Sequence, residues 1–155
     1  MIRKLPERKM RKFRSVLEST RRSSRFDESR KFIQHGNTSV RTHCINVAQT
    51  AYYISHRFGI SVNEEALIRG ALLHDYFLYD WHEKIPRNSI HGFTHPGTAL
   101  SEASKDFVLS ETERDMIKHH MFPLTPVPPR SREGAILCLA DKLCALRETL
   151  ETRIG

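Results

Sequence analysis

The run Leu72-Leu73-His74-Asp75 constrains this chain more than any other stretch. It closes an apolar segment and sets an imidazole beside a carboxylate, and both groups ligate metals. A His-Asp doublet on its own is common by chance. Here His43 precedes it, and His95, the pair His119-His120 and Asp141 follow it. A chain that gathers these residues must build one polar centre inside an apolar domain.

The apolar spacing between those residues is helical throughout. Met10, Phe13 and Leu17 recur at helical intervals among charges, which predicts a basic amphipathic helix over about residues 5–19. The turn-rich segment His35-Gly36-Asn37-Thr38-Ser39 precedes a helix from Val40 to Phe58, stopped by Gly59. On it His43 lies one turn before Val47 and leans toward the buried face. Ser61-Val62-Asn63-Glu64 has the form of a capping box and predicts a helix over 63–75 that ends on Asp75. An acid there opposes the helix dipole and calls for a positive partner. Tyr76-Phe77-Leu78-Tyr79-Asp80-Trp81 is an aromatic cluster suited to core or to a pocket wall.

Residues 82–93 read as loop, with Pro86, Asn88 and Gly92 as breakers. His82 and His91 lie in that loop. Thr94-His95-Pro96 reads as a helix start, with Thr94 as N-cap and His95 projecting from it. A second capping box, Ser110 to Glu113, opens a helix that runs to about His120. His119 and His120 are about 100° apart around that helix, so one can face inward while the other turns away. Pro123, Pro126, Pro128 and Pro129 make 121–129 a loop. Ser131 caps a last helix over 132–152, whose apolar stripe is Ile136, Leu139, Ala140, Leu143, Leu146 and Leu150. Asp141 sits beside that stripe in mid-helix, which is costly unless it is paired or metal-bound. No strand pattern exceeds a few residues, so the expected fold class is all-α, a helical bundle around a central metal site.

Length and charge set the outer limits. The 155 residues suffice for one domain with a core. No apolar run approaches the roughly 20 residues that span a membrane, and the N-terminus carries no apolar signal segment. Cys44, Cys138 and Cys144 are odd in number and lack C-x-x-C spacing, which fits reduced thiols and a cytoplasmic location. Residues 1–31 hold 12 Lys and Arg against 4 Asp and Glu, a net +8, and the remaining residues carry −1. The basicity thus belongs to an arm, residues 1–34, and the domain to residues 35–152. Such an arm suits packing at the domain edge and also contact with nucleic acid. No membrane contact is expected.

The candidate ligands are His43, His74, Asp75, His95, His119, His120 and Asp141. Imidazole and carboxylate donors without thiolate suit one or two divalent transition metal ions: Fe, Mn, Zn, Co or Ni. His43, His74, Asp75 and Asp141 would hold one ion. His95 with one or both of His119 and His120 would hold another, and Asp75 would bridge. Two metals at roughly 3.5–4 Å activate water and clamp a phosphoryl oxygen, the chemistry of phosphoester hydrolysis. Lys142 and Arg41 are candidate partners for the substrate phosphate.

This order of residues resembles the HD-domain superfamily of metal-dependent phosphohydrolases, whose pattern is H…HD…D. His43 matches the first His, His74-Asp75 the doublet, and Asp141 in Leu139-Ala140-Asp141-Lys142 the last Asp. His95 and His120 match the added histidines of the binuclear branch, with His119 a second candidate. The resemblance covers about residues 35–150. Gln34-His35, Tyr79-Asp80-Trp81 and His120-Met121-Phe122-Pro123 further resemble a group of small bacterial HD proteins. The resemblance implies an all-α bundle with metals at its centre and a small phosphorylated substrate, a phosphomonoester or phosphodiester, with nucleotides common among them. Leu78 stands where some HD nucleotidases carry Glu, and the Gly-Tyr-Pro signature of the cyclic-di-GMP branch is absent. The expected catalytic residues are Asp75, Lys142, and Asp80 as proton donor or shuttle. The alternative expectation is a regulatory or nucleic-acid-binding module whose metal site is structural.

Overall fold

A computed structural model describes residues 4–76 and 91–154. Helices dominate them: α1 (Glu7–Arg22), α2 (Val40–Arg57), α3 (Glu64–Leu73), α4 (His91–Asp106), α5 (Glu111–His119) and α6 (Arg132–Ile154). A 3₁₀ turn (Phe26–Lys31) and a short antiparallel hairpin, β1 (Ile33–His35) with β2 (Thr38–Ser39), join α1 to α2. The all-α expectation holds. No described helix is long and apolar enough to cross a membrane.

Local signals explain most helix ends. Ser39 caps α2 by accepting from the Thr42 N–H at 3.2 Å. Ser110 and Glu113 form the expected reciprocal box at the start of α5. Ser131 Oγ accepts from the Gly134 N–H at 3.0 Å where α6 begins. Two starts differ from expectation. The N-cap of α3 is Asn63, which accepts from Ala66 N–H at 3.0 Å, and Glu64 turns instead to Lys9 and Tyr52. Helix α4 begins at His91, so Pro96 lies inside it and Thr94 is not its cap.

Helix α2 packs on α3 and α6, and α5 packs on α3, α4 and α6. Val47, Ala48, Ala51, Leu67, Ile68, Ala71, Leu72, Ile117 and Leu137 are fully buried between them. Gly70 lets α3 and α5 approach closely: a Cβ there would come within 2.5 Å of Met116 Sδ. That approach brings the C-terminal ends of the two helices together. Helix α1 packs on α3 and buries Phe13 and Val16 in the same core, with Leu5 and Phe26 beside them. The basic segment is therefore anchored by apolar contacts as well as by charge.

Helix α6 reverses one expectation. Leu139, Leu143, Leu146 and Leu150, expected on its core face, are 45–58% exposed. The buried face is Leu137, Ala140, Asp141, Cys144 and Glu148. At about 100° per residue, Asp141 and Glu148 lie diametrically opposite the leucine row. Contacts between those acids and His43 fix the rotation of the helix, and they override the pull of four leucines toward the interior.

Candidate metal centre

Five helices deliver one cluster. His43 comes from the first turn of α2, His74 caps the C-terminus of α3, and Asp75 follows it. His95 comes from α4, His120 caps the C-terminus of α5, and Asp141 comes from mid-α6. All six are buried. Donor atoms of His43, His74, Asp75 and Asp141 lie within 4.8 Å of one another, and so do those of Asp75, His95 and His120.

Asp75 belongs to both groups and uses a different oxygen for each. Its Oδ2 lies 3.2 Å from His74 Nε2 and 3.7 Å from His43 Nε2. Its Oδ1 lies 3.1 Å from His95 Nε2 and 3.3 Å from His120 Nε2. Asp141 Oδ1 completes the first group at 2.9 Å from His43 Nε2 and 3.3 Å from His74 Nε2. In the second group the Nε2 atoms of His95 and His120 stand 2.9 Å apart.

The outer ring nitrogens are held by the protein, which aims the inner ones. His74 Nδ1 donates to the Ala71 carbonyl at 2.6 Å, and His120 Nδ1 donates to the Ile117 carbonyl at 2.8 Å. His43 Nδ1 lies 2.7 Å from the buried Glu148 carboxylate, which also accepts from Asn46. Carbonyl or carboxylate partners of this kind set the tautomer of metal-bound histidines. Gln34, carried in by β1, donates from Nε2 to Asp75 Oδ2 at 2.6 Å. The orientation is forced, since a carboxylate only accepts.

Burial penalises every charge here, and the charges answer one another. Burial would lower His43, but the carboxylates of Asp141 and Glu148 raise it to about 10. His74 is likewise raised well above its ordinary value, by Asp75 and Asp141 against burial. Burial would raise Asp75 and Asp141, but the surrounding imidazoles hold both well below the usual carboxylate range. His120 goes the other way: burial outweighs Asp75 and lowers it, which favours the neutral, ligating form. Asp75 Oδ1 is buried and makes no hydrogen bond of acceptable geometry. With Nδ1 of His120 donating outward, its Nε2 presents a lone pair to that oxygen. Imidazole nitrogens and carboxylate oxygens converging in a buried space fit a cation, and an all-N,O donor set fits a divalent transition metal.

His119 is the one expected ligand that the structure leaves out of the cluster. It is the last residue of α5, and its ring turns away so that Nδ1 lies 3.0 Å from Asp115 Oδ1. That carboxylate also accepts from Arg130 N–H and from Ser131 N–H and Oγ, so His119 joins a loop staple. Lys142 lies on the exposed side of α6, and its ammonium donates to the His120 carbonyl at 3.4 Å. Arg41 donates to Asp27 at 2.8 Å, a surface ion pair. Asp80, Tyr79, Trp81 and His82 lie outside the described residues.

Two contributors escaped the sequence. Glu148 stands seven residues after Asp141, two turns along the same helix face, and that interval was the available signal. Gln34 had no such signal, because its approach depends on the hairpin.

A family model described as HD domain matches residues 40–146. No curated protein and no solved structure matches the chain.

Proposed function

Because the chain belongs to the HD-domain family, we propose that it is a metal-dependent phosphohydrolase acting on a small phosphorylated substrate, a phosphomonoester or phosphodiester with nucleotides as the first class to test. One observation carries this reading: Asp75 joins two buried ligand groups through separate oxygens. His43, His74, Asp75 and Asp141 would hold one ion, and Asp75, His95 and His120 a second. Bound there, the metals would activate a water and polarise a phosphoryl oxygen.

The chain's own groups do the remaining work. Asp75 fixes the spacing of the two positions, and Gln34 pins its Oδ2. Glu148 orients His43, while the Ala71 and Ile117 carbonyls orient His74 and His120. The apolar side chains of α2, α3 and α5 surround the cluster and keep water from it. Lys142, anchored at the His120 carbonyl beside the second group, supplies positive charge to the substrate phosphate. Asp80 is the proton donor to the leaving oxygen in this reading.

The test is elemental analysis of purified protein, followed by a phosphoester and nucleotide screen with the metal found. Turnover by the wild type, with loss of both metal and turnover in Asp75→Ala, supports the proposal. Full metal loading without turnover of any phosphoester would overturn it. That result would favour a structural metal in a regulatory or nucleic-acid-binding module. The exposed Arg8, Arg11, Lys12 and Arg14 of α1 support this second reading, and salt-dependent nucleic-acid binding would be its signature.

A further inference from the structure

The leucine row of α6 is a contiguous apolar feature of the described residues that the proposed activity does not use. Leu139 is 51% exposed, Leu143 47%, Leu146 58% and Leu150 45%, and Ile154 beyond them is 85% exposed. The contacts of α6 with α2, α3, α5 and β1 leave this side of the helix uncovered among the described residues. The helix cannot rotate to bury it, because Asp141 and Glu148 on the opposite face are held by His43. Among the described residues, no part of the bundle covers the leucines.

The spacing identifies the cover. From Leu139 the row steps by four, three and four residues through Leu143 and Leu146 to Leu150. That is the a/d interval of a helix that pairs with another helix. The row is also symmetric about the midpoint between Cys144 and Ala145. Leu143 lies as far before that point as Leu146 lies after it, and Leu139 matches Leu150 in the same way. The exposed Ala135 matches Ile154. A second α6 running antiparallel about a two-fold there would set Leu139 on Leu150, Leu143 on Leu146 and Ala135 on Ile154. This self-match is the mark of an isologous interface. Half of each leucine and most of Ile154 amount to on the order of 500 Å² per chain, so two copies would bury roughly 1,000 Å², where specific interfaces begin. At about 500 Å² per chain the patch matches the largest apolar patch of an ordinary monomer, a feature that is often functional.

We propose that this face of α6 joins two copies of the chain into a two-fold homodimer through antiparallel pairing of their α6 helices. The two metal centres would then lie on opposite outer sides of the helix pair. The inference does not depend on the activity.

Sedimentation velocity and light scattering on the full chain test it directly. At about 50 μM the expected mass is twice the chain's 18.0 kDa, in the affinity range ordinary for an interface of this size. Leu143→Glu with Leu146→Glu should weaken dimerisation at least about a hundredfold, with helical circular dichroism and metal content unchanged, since both side chains are exposed. An equimolar mixture of Leu139→Cys and Leu150→Cys chains reads the direction. Antiparallel pairing gives the mixed disulfide on oxidation, and parallel pairing gives the two homodisulfides. A monomeric wild type, a dimer indifferent to the two glutamates, or homodisulfides alone would each overturn the proposal.

Discussion

His74 and His120 end their helices in the same way: each is the C-cap residue, and each turns Nδ1 back onto the carbonyl three residues earlier. The last carbonyls of a helix lack intrahelical partners. Here two of them are satisfied by the imidazoles that point Nε2 into the cluster. The helix end therefore orients the ligand, and the position of the cap decides which histidine is used. His119 is one residue too early, so its ring leaves on the other side. His120→Ala is expected to lose the second metal, weakening its affinity by more than about a hundredfold, beyond what outer-shell changes do. His119→Ala should keep both metals and lower the melting temperature by a few degrees. Metal titration of the two variants side by side checks the order.

Glu148 supports His43 from two turns beyond Asp141, so a single helix face supplies both a ligand and the group that orients a ligand. Glu148→Gln keeps the side-chain volume but removes the charge. Metal affinity should fall about 10–100-fold. Because the carboxylate is also one of the two that raise His43 to about 10, the variant's His43 should titrate lower. NMR titration of the imidazole in the metal-free protein reads that shift separately from metal binding.

The helical skeleton was legible in the sequence because capping residues and apolar periods act locally. Ser39, Ser110 and Ser131 cap where their positions imply. The cluster was legible because His43, His74, Asp75, His95, His120 and Asp141 recur together at inward or end positions of apolar helices, where no one of them alone would have pointed to a metal. Two things were not legible. The rotation of α6 depends on a competition between Asp141 with Glu148 and a leucine row of greater apolar content, and periodicity sees only the leucines. The choice of Asn63 over Ser61 as cap turns on Glu64, which is drawn across to Lys9 and Tyr52 by contacts 55 and 12 residues away in the chain.

Gln34 holds the bridging carboxylate by a single charge-assisted bond to Oδ2. Gln34→Met keeps the volume and removes the donor. Bonds to a charged group contribute about 1.5–3 kcal/mol, and the loss frees Asp75 to rotate. The expected result is a metal affinity lowered about 10-fold or more, with the second metal lost first because Oδ1 must stay aimed at His95 and His120. Equal affinity for both metals in this variant would assign Gln34 to packing alone.

Asp115 ties the end of α5 to the start of α6, and its acid titration should appear in the stability of the fold. Burial would raise its carboxyl, but the Arg130 N–H, Ser131 and His119 bonds hold it below the usual carboxylate range. A carboxyl depressed in the folded state contributes stability that is present above its unfolded value of about 3.9 and is lost as pH falls through the folded value. Asp115→Asn removes that contribution. At pH 7 it should cost about 1–3 kcal/mol, or roughly 2–4 °C in melting temperature per kcal/mol for a chain of this size. The difference between wild type and variant should shrink as pH is lowered from about 5 toward 3. Melting curves across that range check it, and a difference that stayed constant or grew toward acid would show that the carboxylate's charge plays no part in the staple.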